Sequence, residues 1–283
     1  MLPIPDAGVI RAGKAIYEAV RTSDGTDPAT LPDMGFDSAF FEAITPFLEF
    51  LWTRYFRVRI TGLQNIPVTG PAVLVANHSG GLPYDGMLLA YGVRKLHSAH
   101  RLPRPLVANF AFRSRFMAPV VARFGGVRAS MENATKLLAA NQLVSVFPEG
   151  LRGVGKLYRE RYRLTRFGRG GFVRLATTTG VPIIPTAIVG AEEIHPVIGK
   201  MTAPARWLGL PYLPITPTFP FLGPLGLMPL PTKWTIRIGK PIQVAPMDVN
   251  NPTAVLEAAE AVRTQVDTMI AEMLLERRSI FFG

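Results

Sequence analysis

The chain predicts an α/β fold: a central, mostly parallel sheet with flanking helices, plus an N-terminal amphipathic helix and a C-terminal helix. Three observations carry this expectation. Short apolar runs rich in valine and isoleucine recur at residues 72–75, 143–146 and within 181–193, and each runs into a turn that carries ionisable side chains. Such runs, bounded by Gly or Pro, are the pattern of buried strands. Segments with helical spacing lie between them, at 111–123, 133–140 and up to Thr179. Finally, residues 252–276 place Val255, Ala259, Val262, Val266, Met269 and Met273 on one helical face.

Taken in order, residues 1–35 form an N-terminal segment rich in Gly, Pro and Asp around a short helical candidate at 8–21. Residues 36–56 follow as an amphipathic helix. Phe40, Phe41, Ile44, Phe47, Leu48, Leu51, Trp52 and Tyr55 recur at helical spacing, interrupted by Pro46. That face suits either core packing or docking on a membrane interface, with Arg54, Arg57 and Arg59 placed to meet lipid phosphates. The body of the chain is 57–245, with short strands expected at 57–61, 106–109 and 234–238, and 246–283 supplies the closing helix and tail. Residues 201–232, proline-rich and almost uncharged, read as an extended apolar flap that lines a cleft, dips into an interface or packs on the core. The tail RRSIFFG suits interfacial anchoring and a docked C-terminus equally.

The first of the buried runs leads into the chemistry. In AVLVANHSGGLPYDGMLLA the strand stops at Asn77, His78 is the first ionisable side chain past its end, and Asp85 stands where it would N-cap the next helix. A carboxylate beside an imidazole fixes its tautomer and steadies the imidazolium, which suits proton transfer. No other acidic residue lies between Arg59 and Glu132 to take that role. The second run, LVSVFPEGLRG, carries Glu149, Gly150 and Arg152 into its turn, and FGGVRAS between the two places Arg128 after a glycine turn.

These segments together resemble the lysophospholipid/glycerolipid acyltransferase family, which has a histidine–aspartate motif, an FPEG motif and a late proline-flanked strand in this order. The resemblance covers roughly residues 58–241. It implies O-acyl transfer from an acyl thioester, acyl-CoA or acyl carrier protein, to a glycerolipid hydroxyl. His78 would act as base and Asp85 as its orienting partner, with neither metal nor redox cofactor. It further implies that Glu149 binds the acceptor's hydroxyl, and that Gly150, Arg152 and Arg128 contribute to substrate binding near the head group. The family usually has four residues between His and Asp, whereas six, SGGLPY, separate them here. Two extra residues in a turn with Gly80, Gly81 and Pro83 are absorbable as a bulge. Leu151 replaces the family's usual threonine after FPEG.

Composition narrows the partners. The 283 residues carry a formal charge of +11 and 48% hydrophobic residues, without a single cysteine. That excludes disulfides, thiolate catalysis and cysteine-ligated zinc. The charge favours a polyanion, and the positive mean hydropathy selects an anionic membrane surface over nucleic acid. The N-terminus lacks the pattern of a signal peptide. The longest uncharged stretch, 207–232, carries too many prolines to span a bilayer. The chain is therefore expected at the cytoplasmic face of a membrane, peripheral or monotopic.

Other signals are weaker. Residues 150–156 match G-x-x-x-x-G-K, but Leu157 stands where a phosphate loop needs Ser or Thr. His97 and His100 lack a third metal ligand nearby. The run Arg159, Arg161, Arg163, Arg166 and Arg169 is either a solvated face or a holder of coenzyme A phosphates or lipid head groups. For the acceptor, a phosphorylated lysolipid is the first expectation and mono- or diacylglycerol the alternative. A non-catalytic membrane-lipid binder is the further one.

Overall fold

A computed structural model describes residues 7–23, 26, 28–79, 84–207 and 212–282. Nine strands are present among them: β1 (Arg59–Thr61), β2 (Ala72–Ala76), β3 (Pro103–Val107), β4 (Val127–Arg128), β5 (Leu143–Val146), β6 (Ile183–Val189), β7 (Gly199–Met201), β8 (Leu213–Ile215) and β9 (Thr235–Ile238). The helices are α1 (Ala7–Arg21), α2 (Ser38–Phe50), α3 (Tyr84–Leu96), α4 (Asn109–Arg113), α5 (Met117–Phe124), α6 (Met131–Ala139), α7 (Gly150–Val154), α8 (Gly171–Thr179), α9 (Ala203–Trp207) and α10 (Pro252–Glu276).

Seven strands form one sheet in the order β1-β9-β6-β2-β5-β3-β4. The five from β6 to β4 run parallel, β9 is antiparallel to β6, and β1 lies parallel to β9 at the far edge. β2 is fully buried along its length. Alternation across its pleat divides its residues between two cores. Leu74 joins Ile184, Ile188 and Trp234 under α2 and α3. Val73 and Val75 join Val144, Ile183 and Val189 under α6, α8 and α10. The sheet is thus covered on both faces, a helix–sheet–helix sandwich.

Several expected elements are displaced for identifiable reasons. The strand expected at 106–109 lies earlier, at β3, because Pro103 and Pro105 fall where β3 pairs with β5 alone, β4 joining only at Leu106 and Val107. The helix expected over 111–123 is broken between Arg113 and Met117 into α4 and α5. The aromatic helix starts where expected, with the Asp37 carboxylate accepting from Phe40 N at 3.0 Å. It continues through Pro46 and ends in a wide turn over Leu51–Tyr55, where Phe56 N donates to Leu51 O. Its apolar face packs inward: Phe40, Phe41, Ile44, Leu48, Leu51 and Trp52 are buried, so that stripe belongs to the core rather than to a membrane surface. Helix α10 has the expected bounds and the six expected inward residues. The glycine turn at 80–83 lies outside the described residues, as does part of the flap, 208–211. Among the described residues, no helix is long and apolar enough to cross a membrane.

Candidate active site

Parallel strands bring their carboxyl ends to one edge, where ligands of open α/β sheets are bound. Here that edge gathers His78 after β2, Arg128 at the end of β4, Glu149 after β5 and Glu192 with Glu193 after β6. The transition out of β2 is made by Asn77. Its side-chain amide donates to Ile188 O at 2.9 Å and accepts from Ile188 N at 2.8 Å. A side chain thus completes one further step of the β2–β6 ladder and satisfies the buried β6 backbone. The chain is then free to turn, and His78 N donates to Glu149 Oε1 at 3.0 Å instead of to a strand.

His78 Nδ1 lies 2.7 Å from Asp85 Oδ2, so the longer spacing still allows contact. Asp85 is fully buried and sits in the first turn of α3, one residue inside the helix rather than at its N-cap. Ser79 N donates to its Oδ2 at 2.9 Å, and Gly86 N to Oδ1 at 2.7 Å. With those donors holding the carboxylate, Nδ1 carries the shared proton and Nε2 presents its lone pair. The imidazole side chain is 19% exposed, and its ring leans on Phe147 at 4.9 Å between centroids. Burial disfavours the imidazolium, but Asp85 outweighs it. Glu149 adds to the rise and Lys156 opposes it, so the net pKa is raised above 6.5.

Glu149 takes a position different from the expected hydroxyl binder. Its carboxylate is wholly buried. It accepts from His78 N, from Thr165 N at 2.8 Å and from Thr165 Oγ1 at 3.1 Å. Lys156 Nζ sits 3.0 Å from Glu149 Oε2 and 3.1 Å from Glu192 Oε1, with its side chain 7% exposed. Tyr162 N donates to the other oxygen of Glu192 at 2.9 Å. Burial raises the Glu192 pKa, with Lys156 the largest opposing influence. Beyond it, Arg277 pairs with Glu193 at 2.6 Å. Glu149 therefore fixes the backbone of His78 within a buried chain of alternating charges. Gly153 makes this possible sterically: a Cβ there would stand 2.6 Å from the Cβ of Glu149 and 3.1 Å from that of His78.

The remaining expected residues are less close. Gly150 opens α7 with φ of +55° and donates its N–H to Phe147 O at 3.0 Å. Arg152, on α7, is exposed. Arg128 lies on β4 with its guanidinium 5.5 Å over the Phe112 ring. Two strands intervene between β4 and β2, which at about 4.8 Å per step sets their axes roughly 14 Å apart. The resemblance to a phosphate loop dissolves, because residues 150–154 are helical and Lys156 is held by two carboxylates. Arg159, Arg163, Arg166 and Arg169 are exposed, while Arg161 stacks on Tyr158 at 4.4 Å. His97 and His100 hydrogen-bond to the separate carbonyls of Ile66 and Arg94. Sequence reasoning missed Lys156, Gly153, Thr165 and Glu192. One usable signal was present: Lys156 is the cation nearest in sequence to FPEG that stands outside the arginine run and Arg152.

Comparison with known proteins adds a lineage to this geometry. A family model described as Acyltransferase matches residues 57–189, the stretch from before β1 to the end of β6. An uncharacterized protein of Mycobacterium tuberculosis (strain H37Rv) is 44% identical over 262 residues, covering 91% of this chain and 73% of that protein. The mouse 1-acyl-sn-glycerol-3-phosphate acyltransferase alpha is 31% identical over 144 residues, covering 49% of this chain and 47% of its own length. The crystal structure of the 1-acyl-sn-glycerophosphate acyltransferase PlsC from Thermotoga maritima shares the fold, with a TM-score of 0.54 at 17% identity over 94% of this chain and 90% of that one. The parallel sheet that delivers a histidine, an aspartate and a glutamate to one edge, and the sequence that encodes it, place this chain in the acyltransferase family.

Proposed function

We propose that the chain transfers a fatty acyl group from a thioester, acyl-CoA or acyl carrier protein, to a hydroxyl of a lysophospholipid or glycerol-phosphate acceptor at the cytoplasmic face of a membrane. The observation that carries this reading is the 2.7 Å contact of His78 Nδ1 with a buried carboxylate, which leaves Nε2 as a proton acceptor at the sheet's carboxyl edge. Nε2 takes the acceptor's hydroxyl proton as the oxygen attacks the thioester carbonyl carbon. The C–S bond then breaks, and the proton passes to the departing thiolate. An imidazole base contributes roughly 10²–10⁴-fold, and orientation of the two substrates supplies much of the rest. Asp85 holds the ring, and Glu149 holds the backbone that carries it.

A phosphorylated acceptor is supported by the basic face after FPEG and by the substrate in the name of the mouse relative. Mono- or diacylglycerol is the second reading. It is favoured by the exposure of Arg152, whose solvated charge is not forced to seek a phosphate. Acyl transfer from a thioester to lysophosphatidate and to monoacylglycerol, for the parent chain and Arg152→Ala, decides between them. The first reading expects faster use of lysophosphatidate and a selective loss of that preference in the variant. Equal or better use of monoacylglycerol, unchanged by the substitution, supports the second. Thioester turnover with neither acceptor overturns both.

A further inference from the structure

The flap and the C-terminal tail, far apart in sequence, come off one clamp. Arg57 Nη2 donates to Pro231 O at 2.7 Å and to Phe281 O at 2.6 Å. Tyr55 Oη donates to Pro229 O at 2.6 Å, and Lys233 N to Ile280 O at 2.8 Å. Arg277 closes the knot through Lys233 O and Ile280 O. Two apolar projections leave this clamp. One is the turn after β8, where Phe221 is 84% and Leu225 70% exposed, with Leu222 and Met228 also exposed. The other is the tail, where Phe282 is 88% exposed. The turn is pre-formed: Thr218 Oγ1 donates to Gly226 O at 3.0 Å, and Thr216 Oγ1 accepts from Phe219 N at 2.9 Å.

Ordered, exposed aromatic and aliphatic side chains beside cations are what an interface with anionic lipid selects. Arg54 and Arg278 are exposed at this clamp, three residues before Arg57 and Phe281 respectively. The acidic neighbours are already engaged, Glu276 by Arg237 and Glu193 by Arg277. We propose that Phe221, Leu222, Leu225 and Met228 of the flap, together with Phe281 and Phe282 of the tail, form one surface that docks on an anionic bilayer. The flap's stem reaches the active site. Leu230 N donates to Ile194 O, and His195 Nε2 bonds Leu227 O at 2.8 Å; His195 lines a small cavity with Lys156, Glu192 and Gly153. Docking here brings the lipid surface against the elements that hold Glu149. The inference rests on the peripheral-membrane part of the proposed function and replaces α2, whose apolar face is buried, as the docking element.

The test is co-sedimentation of the full chain with phosphatidylcholine vesicles, with and without phosphatidylglycerol. Phe221→Ser/Leu225→Ser is expected to lower partitioning by about tenfold or more, given the apolar area withdrawn from lipid. Phe282→Ser lowers it less, and Arg54→Ala/Arg278→Ala removes most of the dependence on phosphatidylglycerol. Ile10→Ser/Tyr17→Ser, which alters the exposed face of α1, is expected to bind as the parent does. Unchanged binding of the flap variant overturns the inference, as does an equal loss in the α1 variant. So does a concentration-dependent dimer, seen by sedimentation velocity, that the flap variant abolishes, because a second copy then covers this surface. Acyl transfer to detergent-dispersed acceptor separates the two levels. A parent chain active there but indifferent to every vesicle loses its docking surface and keeps its chemistry.

Discussion

Lys156→Met tests whether the buried charges behind His78 matter energetically. The ammonium is 3.0 Å from Glu149 and 3.1 Å from Glu192, and neither carboxylate is more than 4% exposed. Removing one partner of a buried ion pair strands the other charge, at a cost of about 3–5 kcal/mol. For a chain of this size that lowers Tm by roughly 6–20 °C. Proton uptake relieves part of the loss. Glu192 already has a raised pKa, so its folded state binds a proton more tightly than its unfolded one. Its protonation stabilises the fold at low pH, and that contribution is lost as pH climbs from about 4.5 through the raised value. The variant's deficit is therefore largest at neutral pH and shrinks in acid. Glu192→Gln in the Lys156→Met background removes the excess charge while keeping an acceptor for Tyr162 N. It is expected to recover about half the lost stability, and with it the kcat lost through a loosened His78. Urea unfolding at neutral and acidic pH, paired with kcat for acyl transfer, makes the measurement. A loss under about 1 kcal/mol, or no recovery in the double variant, would refute the reasoning.

Three further outcomes follow from the same geometry. His78→Ala should remove nearly all acyl transfer while the chain still folds, and Asp85→Asn should cost roughly 10³–10⁴ in kcat by favouring the wrong tautomer, both read by thioester turnover. The acid limb of kcat/KM should have its midpoint above 6.5, since the base must be neutral and Asp85 raises its pKa; Asp85→Asn should move that midpoint down, and a limb below 6.5 in the parent would contradict the pairing. In stability terms the His78–Asp85 attraction is fully present below pH 6.5 and disappears as pH rises through the raised value. Gly153→Ala should lower kcat by about tenfold or more while leaving KM for the donor nearly unchanged, because its Cβ displaces Glu149 and His78 together.

What the sequence made legible follows from periodicity. The β-branched run before Asn77 and the long apolar stripe of α10 are unambiguous, and the structure places both as expected. The aromatic repeat of α2 was equally clear as a helix, yet periodicity says which residues share a face and not what covers it; α1 and the sheet do. The edges of β3 shifted because prolines are poor strand residues in isolation but tolerable where the ladder does not need their N–H. At the site, His78 and Glu149 stood out as ionisable groups past strand ends, and Asp85 as the carboxylate at the next helix start. Lys156, Thr165 and Glu192 did not, because irregular turns join them and such turns leave no spacing to read. The order of motifs named the chemistry, but the role of Glu149 emerged from its burial.

The Asn77 clamp has a consequence for how the molecule is made. It joins residues 111 apart, and the His78–Glu149 bond joins residues 71 apart, whereas His78 and Asp85 are separated by 7. Contacts between distant residues form late, after the entropy of closing long loops has been overcome. At synthesis rates of about 5–20 residues per second, β6 emerges roughly 5–20 s after β2. During that interval a nascent chain can pair its histidine with its aspartate but lacks the β6 backbone that Asn77 grips at the strand end. The exposed edge of β2, all valine, leucine and alanine, is then a surface for chaperones or for misplaced strands. Ordering of His78 at the sheet's edge is consequently tied to completion of the sheet, and a chain truncated before Ile188 should carry every motif residue up to FPEG and still lack an ordered site.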